Sequence, residues 1–400
     1  MDLLQGRIQN YAWGSKTAIA ELLGNPSPAE RPEAELWLGA HPSAPSLVLR
    51  NGVWTSLVDV IAKSPENELG AAIVARFGAR LPFLLKVLAA ETPLSLQAHP
   101  NLAQARAGFA AEEAAGVPRD APHRNYKDAD HKPELICALG TFWAFSGFRR
   151  AADTVRMIEA IGASTLLVHA AELRHAPNST GIRALYARLT SEGEANRRAL
   201  VDSTLAACAA HRDRGGEFAR ECSWALELGA LYPSDIGVVL ALLLNLVELS
   251  PGDGIYLSAG NLHAYLRGVG IEIMANSDNV LRGGLTPKHV DPPELLRVLT
   301  FADDRIPVLR PTGTGAEKPY DTPAPEFRLS RIELGGAALS IEERRGAEIL
   351  LCTAGRLSAR AAGNHSLELT QGAAAYVPAS DGTYVLGGTG TIFRATAGLA

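Results

Sequence analysis

Residues 252–263 read GDGIYLSAGNLH, and residues 372–383 read GAAAYVPASDGT. In the first stretch Gly252, Ser258, Gly260 and His263 stand at intervals of six, two and three; Gly372, Pro378, Ser380 and Thr383 repeat those intervals. Physically, each stretch reads as a strand, a tight turn and a returning strand, with the last residue of the pattern just past the turn. Taken alone, chance agreement in Gly-rich β sequence explains the match nearly as well. If the repeat is real, the chain contains two small β-barrels, and only the first has kept a histidine where a ligand would sit.

The spacing resembles the second conserved motif of the cupin superfamily, Gly-x5-Pro-x-Gly-x2-His. Both copies depart from it, the first with Ser258 for Pro and the second with Ser380 for Gly and Thr383 for His. Moving outward, residues 1–150 are rich in Gly, Pro and short apolar runs, and LWLG, SLVL, PFLLKVL and SLQAH read as strands between turns. Residues 151–249 change character. Apolar side chains recur at helical spacing, as at Val155, Ile158 and Ile161, and Pro233-Ser234-Asp235 reads as a helix start. The following apolar run, Ile236 to Leu249, reads as a buried helix too short and polar to span a bilayer. Residues 311–400 are again Gly- and β-rich. The expected architecture is therefore mainly β with an α-helical insert: two cupin-like, jelly-roll β-barrel domains plus a helical domain. Residues 1–150 with 250–310 form the first barrel, 151–249 the helical domain, and 311–400 a metal-free second barrel.

At 400 residues and 47% hydrophobic content, the chain can bury more than one core. A net charge of −5 gives no basic surplus for nucleic acid or an anionic membrane, though a local phosphate pocket remains compatible with it. Cys137, Cys208, Cys222 and Cys352 are scattered, with no CxxC pair, which suits a reducing compartment. The first residues, MDLLQGRIQNYAWGSK, lack the charged and apolar regions of a signal peptide. A cytoplasmic protein acting as a monomer is expected.

Four short segments could carry chemistry. In SLQAHP, Gln97 and His99 stand two apart, so on a strand an amide oxygen and an imidazole share a face while Leu94 and Leu96 take the other. Taken alone, a hydrogen-bonded polar pair at a strand end is the better reading, since Gln is an uncommon zinc ligand. In DHKPEL, Glu134 follows Pro133 at a strand start, with His131 and Lys132 beside it; on its own it reads as a solvated turn carboxylate. His263 follows the Gly260-Asn261 turn between Leu262 and Leu266, where a lone histidine is more often a satisfied core residue. Together one Gln, two His and one Glu make a plausible zinc set with a position open for substrate. The fourth segment is NSDNVLRGGLTPKHVD. Arg282 precedes Gly283-Gly284, and Lys288 lies six residues on, a combination suited to an oxyanion but also to an ordinary surface loop.

In this order, QNYAWGS, AELWLGAHPSAPS, LPFLLKVLAAETPLSLQAHPN, YKDADHKPELICAL and GNLHAYLRGVGIEIMANSDNVLRGGLTPKHVD resemble the type I mannose-6-phosphate isomerase family over most of residues 9–149 and 252–300. The resemblance implies a cupin-like fold with a helical domain and a second barrel. It also implies one zinc per chain on Gln97, His99, Glu134 and His263, and a catalytic arginine at Arg282. Ser95, Lys132, Tyr265, Glu272, Asp278 and Lys288 match other pocket positions of that family. The implied reaction interconverts an aldose and a ketose sugar phosphate through an enediol-type intermediate, and needs a base, a proton shuttle and charge stabilisation. The sequence leaves the base open among Glu272, His131 and Lys132. A non-catalytic sugar-phosphate sensor would not need Arg282, and an iron-dependent oxygenase would fit Gln97 poorly.

Overall fold

The computed structural model describes residues 1–302, 306–361 and 366–399. Two antiparallel sheets, each of ten strands, organise the chain. The first carries the chemistry-bearing segments. Its longest strand, His263–Ala275, is central: its first half pairs with Phe142–Phe148 and, at His263, with Gln97 of Leu96–Ala98. Its second half pairs with Phe83–Ala90 and with Glu134–Ala138. A register shift between Tyr265 and Arg267 separates the halves. The extra residue of such an irregularity reverses the period-two alternation. That is why Glu272, an odd number of residues beyond Tyr265, lines the same cavity as Tyr265.

The second sheet runs in the order Glu317–Pro319, Arg328–Gly335, Tyr384–Thr396, Glu348–Ala361, Ala374–Val377, Asp2–Gln5, Leu47–Arg50, Val53–Ser56. Three strands from the first 60 residues thus complete a sheet otherwise built from residues beyond 316. Nothing in local spacing could announce that pairing, since Leu3 meets Ala375 across most of the chain.

The expectation of a mainly β chain with closed barrels needs correction. Helix and strand are almost equal, at 31% and 32%, and among the described residues neither sheet closes into a barrel. Part of the extra helix lies within residues 1–150, in Ala18–Leu23, Leu57–Lys63, Pro65–Leu69, Ala71–Phe77 and Leu102–Ala114. Four of these are only one or two turns long, too short for an apolar period to stand out. The fifth has a weakly amphipathic, Ala-rich sequence and declares itself chiefly by its cap. Asn101 accepts from the Gln104 backbone N–H, and Gln104 returns a side-chain oxygen to Asn101 N–H.

Residues 151–231 do form helices, from Ala151–Ile161 to Ala219–Leu231. Their apolar faces pack into one core with the back of the first sheet. Met157, Ile158, Leu166, Leu185 and Leu228 join Leu96, Ala98, Phe145 and Leu262 there. Each such fully buried side chain contributes roughly 1.5–3 kcal/mol relative to exposure. The 236–249 run divides in two, however. Gly237–Leu242 is helical, whereas Leu244–Leu249 is a strand paired with Phe142–Phe148. Asn245 explains the switch: its side-chain amide donates to the carbonyls of Ser146, Gly147 and Phe148, a contact that needs the neighbouring strand.

Candidate metal centre and active site

The site is assembled from strand ends. Leu96 and Ala98 are fully buried on the core side, which turns Gln97 to the cavity. Gln97 lies directly opposite His263 on one neighbouring strand and Arg282 on the other. Directly opposed residues on paired strands share a face, so these three side chains form one row. Leu94, expected behind the strand, instead lines the cavity with Ser95, because the strand begins only at Leu96. Beyond Ala98 the chain enters the capped helix, and His99 is held at the junction. His263 follows a turn in which Gly260 has φ 75°, and a Cβ there would lie 2.9 Å from the backbone nitrogen of Thr300.

His99, Glu134 and His263 converge, each offering one atom within 4.8 Å of the others. Both rings are oriented by backbone. His99 Nδ1–H donates to the Asn279 carbonyl at 2.6 Å, and His263 Nδ1–H donates to the Asn261 carbonyl at 3.0 Å. A carbonyl can only accept, so each Nδ1 carries a hydrogen and each Nε2 is turned to the cluster. His99 Nε2, His263 Nε2 and Glu134 Oε2 are buried and have no hydrogen-bond partner. Three unsatisfied acceptors facing one another are costly unless a cation lies between them. The His99 Nε2–Glu134 Oε1 distance of 3.4 Å is not an ion pair, because burial, only partly offset by Glu134, pulls His99 down to about 4. Burial alone would raise the Glu134 carboxyl. Lys132, at 3.1 Å, and the two histidines outweigh it and hold that carboxyl well below the usual range. Two imidazoles, a carboxylate and the Gln97 amide, which lines the cavity above them, suit zinc.

The cavity above this cluster has a volume of about 370 Å³. Ser95, Gln97, Lys132, Glu134, Tyr265, Glu272, Asp278, Arg282 and Lys288 all line it. Among the described residues, neither Arg282 nor Lys288 has a carboxylate partner, and burial lowers both from their usual values, with Arg282 adding to the effect on Lys288. Asp278 meets His41 at 3.3 Å, and this contact holds its carboxyl low. The Tyr265 hydroxyl is buried and without a hydrogen-bond partner.

One expected residue is not brought in. His131 bonds Glu326 through Nε2 at 2.8 Å and lines a different cavity, beside Arg80 and Asn276. Conversely, sequence reasoning missed Lys86, Glu35 and Asn279. Lys86 Nζ lies 2.9 Å from Glu272 and 3.4 Å from Glu35, over the face of Trp37. Burial would lower Lys86, but the two carboxylates outweigh it and raise it. Its signal was present: a single lysine inside the otherwise apolar strand FLLKVLAA, buried at every position. Asn279 is wholly buried. Its side chain binds Lys127 and Asp128 N–H and the Asp128 and Asp130 carbonyls, fixing the loop that delivers Lys132 and Glu134.

Comparison with known proteins agrees with this geometry. Residues 1–151 match the model of the phosphomannose isomerase type I catalytic domain. The mannose-6-phosphate isomerase of Salmonella typhimurium is 41% identical over 98% of this chain and 99% of its own. That of Homo sapiens is 32% identical over 82% of this chain and 81% of its own. A crystal structure of a zinc-bound mannose 6-phosphate isomerase superposes with a TM-score of 0.90 at 40% identity, covering 100% of this chain and 99% of that one. With full-length agreement in both sequence and backbone, the chain belongs to the type I phosphomannose isomerase family of enzymes.

Proposed function

We propose that this enzyme interconverts mannose 6-phosphate and fructose 6-phosphate using one zinc ion held by Gln97, His99, Glu134 and His263. The observation that carries the reading is the set of three buried, unsatisfied ligand atoms beneath a cavity whose far wall holds two unpaired cations. The bound ion would supply a fixed positive centre for substrate oxygens and for the charge of an enediol-type intermediate.

The chain's own groups divide the remaining work. Glu272 is the base this reading selects: it lines the cavity, and burial, opposed by Lys86, raises its carboxyl above the ordinary value. It takes the proton from C2 of mannose 6-phosphate and returns it to C1. Lys86 is a positioning residue, holding Glu272 by the 2.9 Å contact. Lys132 is placed to pass the hydroxyl proton between O2 and O1, while Ser95, Tyr265 and Asp278 orient hydroxyls. Arg282 stabilises developing negative charge and Lys288 binds the phosphate. His131 drops out as a base because it lies outside the cavity.

The two sheets are read as open, cupin-like jelly rolls. The zinc-bearing unit comprises 1–150 and 250–310, the helical unit 151–249, and the metal-free unit 311–400, except that Asp2–Gln5, Leu47–Arg50 and Val53–Ser56 complete the sheet of the metal-free unit and Leu244–Leu249 joins the sheet of the zinc-bearing one. Four buried free cysteines suit a cytoplasmic monomer, and among the described residues no helix is long and apolar enough to cross a membrane. The test is a coupled assay with mannose 6-phosphate before and after chelation. Activity should vanish with the metal and return with one equivalent of zinc. Full turnover by metal-free protein would sink the reading.

A further inference from the structure

A second cavity, of about 740 Å³, lies behind the Arg282–Lys288 segment, between it and the helical region. That volume is within the range of small-molecule sites, roughly 300–1,000 Å³. Tyr186 lines it and is fully buried; its hydroxyl has no hydrogen-bond partner. A buried phenol left unsatisfied is costly and unusual unless something occupies the space before it. Ile236, Val290 and Leu295 supply apolar walls. On the rim, Arg197 is half-buried and Arg198 exposed, and neither has a carboxylate partner among the described residues. Glu194 is the one other charged side chain there besides Asp235, whose carboxylate is already engaged by the backbone N–H groups of Gly237 and Thr286.

Those last bonds link the two cavities. Asp235 belongs to the second cavity and grips Thr286, which lines both. Thr286 Oγ1 in turn accepts from Lys288 N–H at 3.1 Å. Gly284 has φ 133° and packs so tightly that a Cβ there would lie 2.8 Å from the Gly237 Cα. The wall between substrate and second cavity is therefore one backbone thick. Displacing it would move Arg282, which pairs with Gln97 on the far side.

We propose that this cavity is a regulatory site for a small organic anion with an apolar ring body. The ring lies among Ile236, Val290 and Leu295, an acceptor atom takes the Tyr186 hydroxyl, and the anionic group meets Arg197 and Arg198. Occupancy alters substrate affinity through Asp235 and Thr286, and by linkage substrate alters the occupant's affinity in the same sense.

Anilinonaphthalene sulfonate, a naphthalene and a phenyl ring joined through an amine and carrying one sulfonate, is the probe. Titration of the zinc-loaded enzyme followed by fluorescence should show saturable binding at one equivalent. Affinity should fall about tenfold in Arg197→Ala and about fivefold in Tyr186→Phe, as expected for losing one charged and one neutral hydrogen bond. Val290→Trp, which fills the cavity, should abolish binding. The isosteric Tyr186→Phe guards against unfolding, and all three variants should keep basal turnover. Saturating probe should change KM for mannose 6-phosphate by a finite factor that is absent in Val290→Trp. Equal affinity in all variants, no saturable binding, or complete displacement by mannose 6-phosphate would each overturn the proposal, the last by placing the probe in the catalytic cavity.

Discussion

Glu134 and Glu348 occupy the same place in the two sheets and have opposite surroundings. Glu134 opens its strand opposite Leu257, the residue before the Ser258 turn; Glu348 opens its strand opposite Val377, the residue before the Pro378 turn. Both carboxylates are buried. Around Glu134 stand two imidazoles and one lysine, and Oε2 is left without a hydrogen bond. Around Glu348 every demand is met: Arg394 reaches both oxygens at 2.6 and 2.9 Å, Arg344 adds 3.2 Å, and the Tyr384 hydroxyl 2.6 Å. Tyr384 immediately follows Thr383, the position where the first copy has His263. One backbone arrangement thus serves two ends. In the first sheet the buried carboxylate meets one lysine and keeps Oε2 unpartnered beside two histidines; in the second, two guanidinium groups neutralise it permanently.

The largest effect should come from breaking the first environment. His99→Ala or His263→Ala should lose bound zinc and isomerase activity together, measured by metal analysis and coupled assay. A variant retaining full zinc would remove that histidine from the ligand set. The second environment should fail differently. Glu348→Gln takes the carboxylate from Arg344 and leaves Arg394 with Glu317 alone, and should cost about 3–5 kcal/mol in unfolding free energy, while zinc content stays at one per folded chain. Loss of zinc from a folded Glu348→Gln protein, or a second stoichiometric metal in the wild type, would erase the contrast.

Smaller effects sharpen it on the substrate side. Arg282→Ala should keep its zinc and lower kcat by about 10²–10³, the usual consequence of removing one donor to developing charge. Near-normal turnover at saturating mannose 6-phosphate would make Arg282 a mere binding residue. The mildest change should be Lys288→Ala. Because Lys288 is exposed at the cavity rim, KM should rise with kcat nearly intact. A fall in kcat as large as that of Arg282→Ala would place Lys288 at the reacting carbons instead.

Much of this was readable from neighbours in the chain. Gln97 and His99 two apart, Glu134 after a proline, His263 after a glycine turn and Arg282 before two glycines are local patterns; Gln97, Glu134 and Arg282 line one cavity, and His99 and His263 converge on Glu134 beneath it. The helical character of residues 151–231 was equally legible, because apolar periodicity is a property of a single element. What only the tertiary structure decided depends on partners far away in sequence. The bulge after Tyr265 that turns Glu272 inward, the burial of Lys86 between Glu35 and Glu272, and the exclusion of His131 by Glu326 all follow from strand pairing and packing. So do the strand at Leu244–Leu249 and the use of Asp2–Gln5 to extend the C-terminal sheet. Spacing along a strand tells which side chains share a face. Which face becomes the inside, and which charges find each other there, is settled only when distant strands hydrogen-bond and exclude water together.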